Sequence, residues 1–410
     1  MSDILITNIG ELVYFSIDDQ LQRVKNAEIY IKDGHLKSFG HKNIVSENVI
    51  GNPDLIDAGG GLVTPGFVDC HTHLVFAGTR ADEFWRRLSG ETYQDIARKG
   101  GGILSTVRAT RDASREELTL LARRRLDEML KYGTTVVEAK SGYGLTTDEE
   151  MKILEVIRDA GNSHPVKVMP TFLGTHAIPP EFKDDREGYI NLICDEMLPA
   201  ATEQGIAKFC DVFCDEGAFT VKEMERIFIR ASELGFGLRA HLNEFANFGG
   251  VRVACELGAV SIDHLTKSTE EDAKTIKEAG CVAVLLPGTT FFLGHVDYAD
   301  ARMFIDEGCR VAIATDFNPG SSMCFNIQAI ISLSAVYLRM TAEEILRAVT
   351  VNPAYSLCIE DEFLWRDGTP ARINIWNIKS LEEIVYPWGV NNVRDVIVGE
   401  GILQDFHCDK

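Results

Sequence analysis

Residues 62–74 read LVTPGFVDCHTHL, a β-branched apolar run that ends in two histidines two positions apart, His71 and His73. Runs of the same texture recur down the chain. They are TTVVEAK (134–140), VKVMPTFLG (166–174), KFCDVFCD (208–215), GLRAHL (237–242), AVSIDHL (259–265), CVAVLLPG (281–288) and RVAIATDF (310–317). Each is short, apolar and followed by a stretch of helical periodicity, the alternation that parallel strands with crossover helices produce. Ser114 to Glu117, Thr147 to Glu150, Thr220 to Glu223 and Ser268 to Glu271 fit the capping-box pattern that opens helices, and Gly133, Gly161, Gly235, Gly280 and Gly308 are read as helix stops. Eight such units predict an α/β fold, a (β/α)8 barrel over residues 62–356. A doubly wound open sheet fits less well, because no glycine-rich dinucleotide turn follows the first strand.

Outside this span the pattern changes. ILITNI, LVYFSI and AEIYIKDGHLKSFG alternate apolar and polar residues, with Asp33-Gly34 as a hairpin signal, and ARINIWNI and VRDVIVGEG repeat that texture near the other end. Residues 1–61 and 357–410 are therefore expected to combine into one small β-sandwich-like domain beside the barrel.

Composition limits the partners. The 410 residues carry 41 Lys+Arg against 62 Asp+Glu, a formal net charge of -21, which repels nucleic acid and anionic membranes. No apolar run approaches the roughly 18 residues of a membrane span, and the first residues, MSDILITNIGELVYF, lack a signal-peptide pattern. The ten cysteines form no CxxC pair, and Cys210 and Cys214 read as core residues of one strand face. The expectation is a cytoplasmic protein acting on a small molecule.

The chemistry concentrates at strand ends. Residues two apart on a strand point the same way, so His71 and His73 can converge on one ion. His241 and His264 close the fifth and sixth runs, and Asp316 the eighth. A barrel brings the carboxyl ends of its strands to one face, and three imidazoles with a carboxylate suit Zn²⁺ or Fe²⁺. Glu244, three past His241, is placed to move a proton between a metal-activated water and a leaving nitrogen. His264 reads either as a further ligand or as a group that holds water and polarises a carbonyl.

The segments PGFVDCHTHL, AHLNE, DHL and TDFNPGS resemble the amidohydrolase superfamily. FAGTRADEF, EAKSGYGL and FLGTHAIP narrow the resemblance to its branch that opens the imidazolone ring in histidine degradation. That resemblance implies hydrolysis of a cyclic amide, with His71, His73, His241 and Asp316 holding one metal ion, Zn²⁺ or Fe²⁺/Fe³⁺. It implies Glu244 and His264 as catalytic groups. Arg80, Tyr143, His176, Asn318, Gly320 and Ser321 would contact substrate, as would Glu244, with Arg80 gripping a propanoate. It further implies a homodimer.

Lys140 follows the second run rather than the fourth, where a carboxylated lysine bridging two ions would sit; the fourth ends in Cys214 and Asp215, which points to a single ion and a structural Lys140. His35, His41, His164, His295 and His407 read as surface or loop residues. Ala371-Arg372 departs from the Ala-Asp pair usual at the entry to the last sheet. Two other readings compete: a deaminase of a nitrogen heterocycle, which uses the same metal-binding set, and a non-catalytic barrel scaffold.

Overall fold

The computed structural model describes residues 3–91, 101–399 and 401–403. Eight parallel strands form one sheet in sequential order: β1 (Phe67–Asp69), β2 (Thr134–Lys140), β3 (Lys167–Thr175), β4 (Phe209–Cys214), β5 (Gly237–Leu242), β6 (Ala259–His264), β7 (Val282–Leu285) and β8 (Arg310–Ile313). Residues just beyond β1 and β8 close the ring. Asp316 N–H donates to His71 C=O at 3.0 Å, and His73 N–H donates to Phe317 C=O at 2.9 Å. The expected (β/α)8 barrel is the observed fold.

The helices between strands form for the expected reasons, with two shifts. Ser114 and Thr220 cap their helices as read, but Thr146 rather than Thr147, and Thr269 rather than Ser268, accept the capping N–H. In both places two neighbouring hydroxyl residues are each followed three positions later by an acid, so the pattern was ambiguous by one. Gly161 lies within the helix Thr147–Asn162 rather than ending it. The helix Arg115–Lys131 shows the common logic: Leu118, Ala122, Leu126 and Met129 recur at helical spacing and are buried.

The second sheet joins both ends of the chain. Its main path runs Gly401–Leu403, Val393–Val398, Arg372–Trp376, Leu62–Pro65, Ile4–Ser16, Leu21–Lys32 and His35–His41. Ile4, Ile6, Ile29, Ile31, Ile373 and Ile375 give it a core of its own. The run LVTPGFVDCH is two strands rather than one. Leu62–Pro65 pairs with Arg372–Trp376 and Ile4–Ser16, and the chain enters the barrel at Gly66, where a Cβ would stand 2.4 Å from Thr135 Cγ2. Trp376 bridges the two sheets, donating from Nε1 to Thr64 Oγ1 at 3.0 Å and packing on Phe67.

The barrel interior departs from the branched apolar filling usual for this architecture. Glu138, Lys140, Asp211, Arg239 and Asp263 point inward beneath the carboxyl-end face, all wholly buried. Cys210 and Cys214 are buried as read, and each is a free thiol.

Candidate active site

The carboxyl-end face gathers residues from most of the strands. His71 and His73 follow β1 by two and four positions, His241 lies in β5, His264 ends β6, and Asp316 follows β8 by three. His264 and Asp316 hold left-handed backbone, φ 78° and 50°, conformations that cost energy in a non-glycine residue and turn both side chains out of the strand direction. The rings of His71 and His241 stand 4.5 Å apart between centroids, and those of His241 and His264 5.3 Å.

Two overlapping ligand sets share His71. His71, His73 and Asp316 form one, and His71, His241 and His264 the other, with ligand atoms in each within 4.8 Å of one another. Asp316 Oδ1 is 3.4 Å from Nε2 of both His71 and His73. His71 Nε2, His73 Nδ1 and His241 Nε2 are buried with no hydrogen-bond partner. Buried imidazole nitrogens are rarely left orphaned, and Nε2 of His71 and His241, with Nε2 of His73 and Oδ1 of Asp316 near His71, are donors of the kind a divalent cation takes. The electrostatics agree. Burial and Lys140 push the His71 pKa down, yet Asp263 and Asp316 carry it up to about 9, so the surrounding carboxylates favour a positive charge here, a proton on His71 or a cation in its place. Burial holds His73 at about 4 and His264 at about 3, neutral and able to act as ligands or hydrogen-bonding groups at neutral pH.

Partners from other strands orient this set. His71 Nδ1 meets Asp263 Oδ2 at 2.6 Å and His241 Nδ1 meets Asp211 Oδ1 at 2.9 Å, which directs Nε2 of each ring inward. Thr289 Oγ1 donates to Asp316 Oδ2 at 2.6 Å, leaving Oδ1 toward the histidines. Burial raises the Asp316 pKa, but the neighbouring imidazoles of His71 and His73 outweigh it and hold the carboxyl well below its usual range.

Glu244 lies beside His264, with Oε2 3.6 Å from Nδ1. Its backbone N–H and those of Phe245 and Ala246 donate to Asp215, which anchors the loop after β5. Burial, then the negative charges of Asp316 and Asp215, push the Glu244 pKa well above the ordinary carboxylate value. A carboxyl with its pKa raised in this way is a stronger base than an ordinary carboxylate and suits proton transfer.

A second group lines the approach. The His176 ring stacks on His73 at 4.7 Å, and Tyr143 packs 5.1 Å from His176. Gly142 allows this, because it has φ 104° and any Cβ would press on His176 at 3.0 Å. Wholly buried Glu150 fixes the loop, accepting from the N–H groups of Gly142, Gly144 and Leu145 at 2.9, 2.8 and 2.7 Å. Arg80 immediately precedes the short helix Ala81–Leu88 and is held by Glu83, with Nε to Oε2 at 2.8 Å. Its guanidinium passes Gly320 so closely that a Cβ there would meet Nη1 at 2.1 Å. Asn318 works within its own turn: Nδ2 donates to Asp316 C=O and Ser321 Oγ, and Oδ1 accepts from the N–H groups of Gly320 and Ser321.

Of the other histidines, His35, His41 and His295 are exposed, and His407 lies outside the described residues. His164 lies in the loop between the helix Thr147–Asn162 and β3, as read, but its ring is tucked in. Its side chain is 4% exposed, Nε2 meets Asp127 at 3.2 Å, and Nδ1 accepts from Val166 N–H at 3.1 Å. Asp211, Asp263, Thr289 and Glu150 were missed as site-supporting residues. The available signal was parity: Glu138 with Lys140, and Arg239 with His241, sit two apart in apolar strands and so share the inward face.

A parallel eight-stranded barrel with histidines and an aspartate converging at its carboxyl-end face defines a hydrolase class, and the chain belongs to the amidohydrolase family, whose sequence profile matches residues 62–402. Relatives named imidazolonepropionase cover nearly its whole length. That of Symbiobacterium thermophilum is 46% identical, covering 98% of this chain and 97% of the relative, and that of Bacillus velezensis is 45% identical, covering 96% and 95%. More narrowly, then, the chain is a member of the imidazolonepropionase family. The fold also matches solved structures of low identity. A triazine hydrolase variant has TM-score 0.77 at 16% identity, covering 99% of this chain and 95% of that one; a 5-methylcytosine deaminase from Klebsiella pneumoniae has TM-score 0.75 at 17%, covering 99% and 100%. Among the described residues no helix is long and apolar enough to cross a membrane.

Proposed function

We propose that the chain hydrolyses 4-imidazolone-5-propanoate, opening the ring at its cyclic amide to give N-formimidoyl-L-glutamate in histidine degradation. The observation that carries this reading is a half-buried guanidinium, Arg80, held by Glu83 and seated against Gly320 at the approach to a cluster of histidines and carboxylates. A protein of net charge -21 needs such a local cation to hold an anionic substrate, and the curated relatives support the particular ring.

His71, His73, His241 and Asp316 would hold the metal ion, Zn²⁺ or Fe²⁺/Fe³⁺. A bound ion supplies Lewis acidity toward the ring carbonyl and makes a neighbouring water more acidic. Arg80 binds the propanoate by paired charge-assisted hydrogen bonds, which fixes the ring's orientation. Tyr143 and His176 wall the ring, and the turn of Asn318, Gly320 and Ser321 backs Arg80. Glu244 takes the proton of the attacking water and returns it to the departing ring nitrogen, while His264 stabilises the charge growing on the carbonyl oxygen. The family resemblance also supports a cytoplasmic homodimer, which sedimentation velocity tests.

The experiment follows the ultraviolet absorbance of freshly made 4-imidazolone-5-propanoate with wild type and Arg80→Ala. Accelerated loss of signal that the variant weakens is expected. No acceleration over spontaneous decay, with turnover instead of an amino-heterocycle panel, would replace this reading by the deaminase one.

A further inference from the structure

Beneath the histidines, Lys140 is the centre of a buried charge cluster. Its Nζ lies 2.9 Å from Glu138 Oε1, 2.7 Å from Asp211 Oδ2 and 3.8 Å from Asp263 Oδ2, and every one of these side chains has zero exposure. Each carboxylate then reaches a different part of the histidine set. Asp211 holds His241 Nδ1 and Asp263 holds His71 Nδ1. Glu138 Oε2 accepts from the N–H of Thr72, the residue between His71 and His73, at 3.2 Å, and Thr72 Oγ1 donates to Glu138 C=O at 2.7 Å. The backbone repeats the connection, since Lys140 N–H donates to Thr72 C=O at 2.9 Å. Arg239, the other cation, is committed largely to main-chain carbonyls, donating to Ser356 C=O at 2.7 Å and Cys70 C=O at 2.8 Å, with Asp263 Oδ2 at 3.5 Å.

We infer that Lys140 is the positioning residue of the metal centre, a single ammonium that ties the carboxylates orienting His71, Thr72 and His241 into one unit. This rests on the metal reading above. Burying three carboxylates is costly unless each is paired, and a residue that meets all three holds them in one arrangement. Without the ammonium, Asp211 and Asp263 repel each other and lose their fixed orientation, and the imidazoles they steer lose theirs. The same geometry permits an opposite outcome. If Lys140 acted only as a positive charge near the ion, removing it would tighten cation binding.

The test is metal affinity measured by chelator competition with Zn²⁺, together with the visible absorption spectrum of Co²⁺-loaded protein, for wild type and Lys140→Met. Zn²⁺ affinity is expected to fall about 10- to 100-fold, as for other partners of metal-bound histidines, with an altered Co²⁺ spectrum that a purely structural role would leave unchanged. Unchanged or tighter binding with an unchanged spectrum in folded Lys140→Met overturns the inference. Should that variant not fold, Asp211→Asn keeps an acceptor for His241 Nδ1 while removing the charge Lys140 holds. Weakened Zn²⁺ binding there sustains the inference, and wild-type affinity overturns it. Failure of wild type to bind Zn²⁺ at all would instead refute the metal reading on which this rests.

Discussion

Gly320→Ala is a small change aimed at the substrate clamp. The new methyl would stand 2.1 Å from Arg80 Nη1 and 2.8 Å from its Cζ, well inside contact distance. Gly320 is not among the residues with positive φ, so alanine brings no backbone strain. The neighbour that must give way is the far end of a long side chain, and Arg80 can swing off its seat at little cost in stability. The expected change in unfolding free energy is therefore within about 0.5 kcal/mol, as for an ordinary surface replacement. Displacing the guanidinium removes its charge-assisted bonds to the propanoate, worth about 1.5–3 kcal/mol, or roughly 10- to 150-fold in KM. These bonds are made equally to ground state and transition state, so kcat should change little. Steady-state kinetics and thermal melts on wild type, Gly320→Ala and Arg80→Ala provide the assay. Wild-type KM in Gly320→Ala, or a large fall in Tm with KM unaltered, would refute the reasoning.

Further outcomes follow from the same geometry. Glu244→Gln should lower kcat by about 10²- to 10⁴-fold while leaving metal content unchanged. Because burial and then Asp316 and Asp215 raise the Glu244 pKa, the base form is gained only as pH rises above the usual carboxylate range; the acid limb of kcat/KM should lie there in wild type, and pH–rate profiles of both proteins check it. Glu150→Gln leaves one acceptor oxygen where three N–H groups converge, so it should cost about 1–3 kcal/mol of stability and raise KM through the Tyr143 loop, as melts and kinetics would show. His164 has its pKa lowered chiefly by burial, so its neutral form is favoured in the fold. Stability is full above the unfolded value of about 6.5 and falls as pH drops through that value. His164→Gln should flatten the fall of stability with pH below about pH 6.5, and an unchanged slope would contradict this.

What was legible in the sequence had a local cause. Strand ends marked by His71, His73, His241, His264 and Asp316 could be read because a barrel sends all such ends to one face. Gly66 was not readable as a crossing point, since both halves of LVTPGFVDCH have strand texture and only tertiary pairing divides them between two sheets. Glu150 was read as part of a helix cap, yet its carboxylate is taken by a loop five to eight residues earlier. Asp211, Asp263 and Thr289 support ligands that lie 27 to 192 positions away, a relation no spacing within a segment reveals. Lys140 could be placed at a strand end, but its partners come from β2, β4 and β6 and depend on the closed barrel.

The central claim is metal-dependent hydrolytic opening of the imidazolone ring. Its most direct test is mass spectrometry of the product formed from 4-imidazolone-5-propanoate by metal-loaded and chelator-stripped protein, against a protein-free control. A product heavier by one water, identical to N-formimidoyl-L-glutamate, without release of ammonia and accelerated only by the loaded protein, is the predicted result. Formation at the control rate in both samples, or an ammonia-releasing reaction, would contradict it.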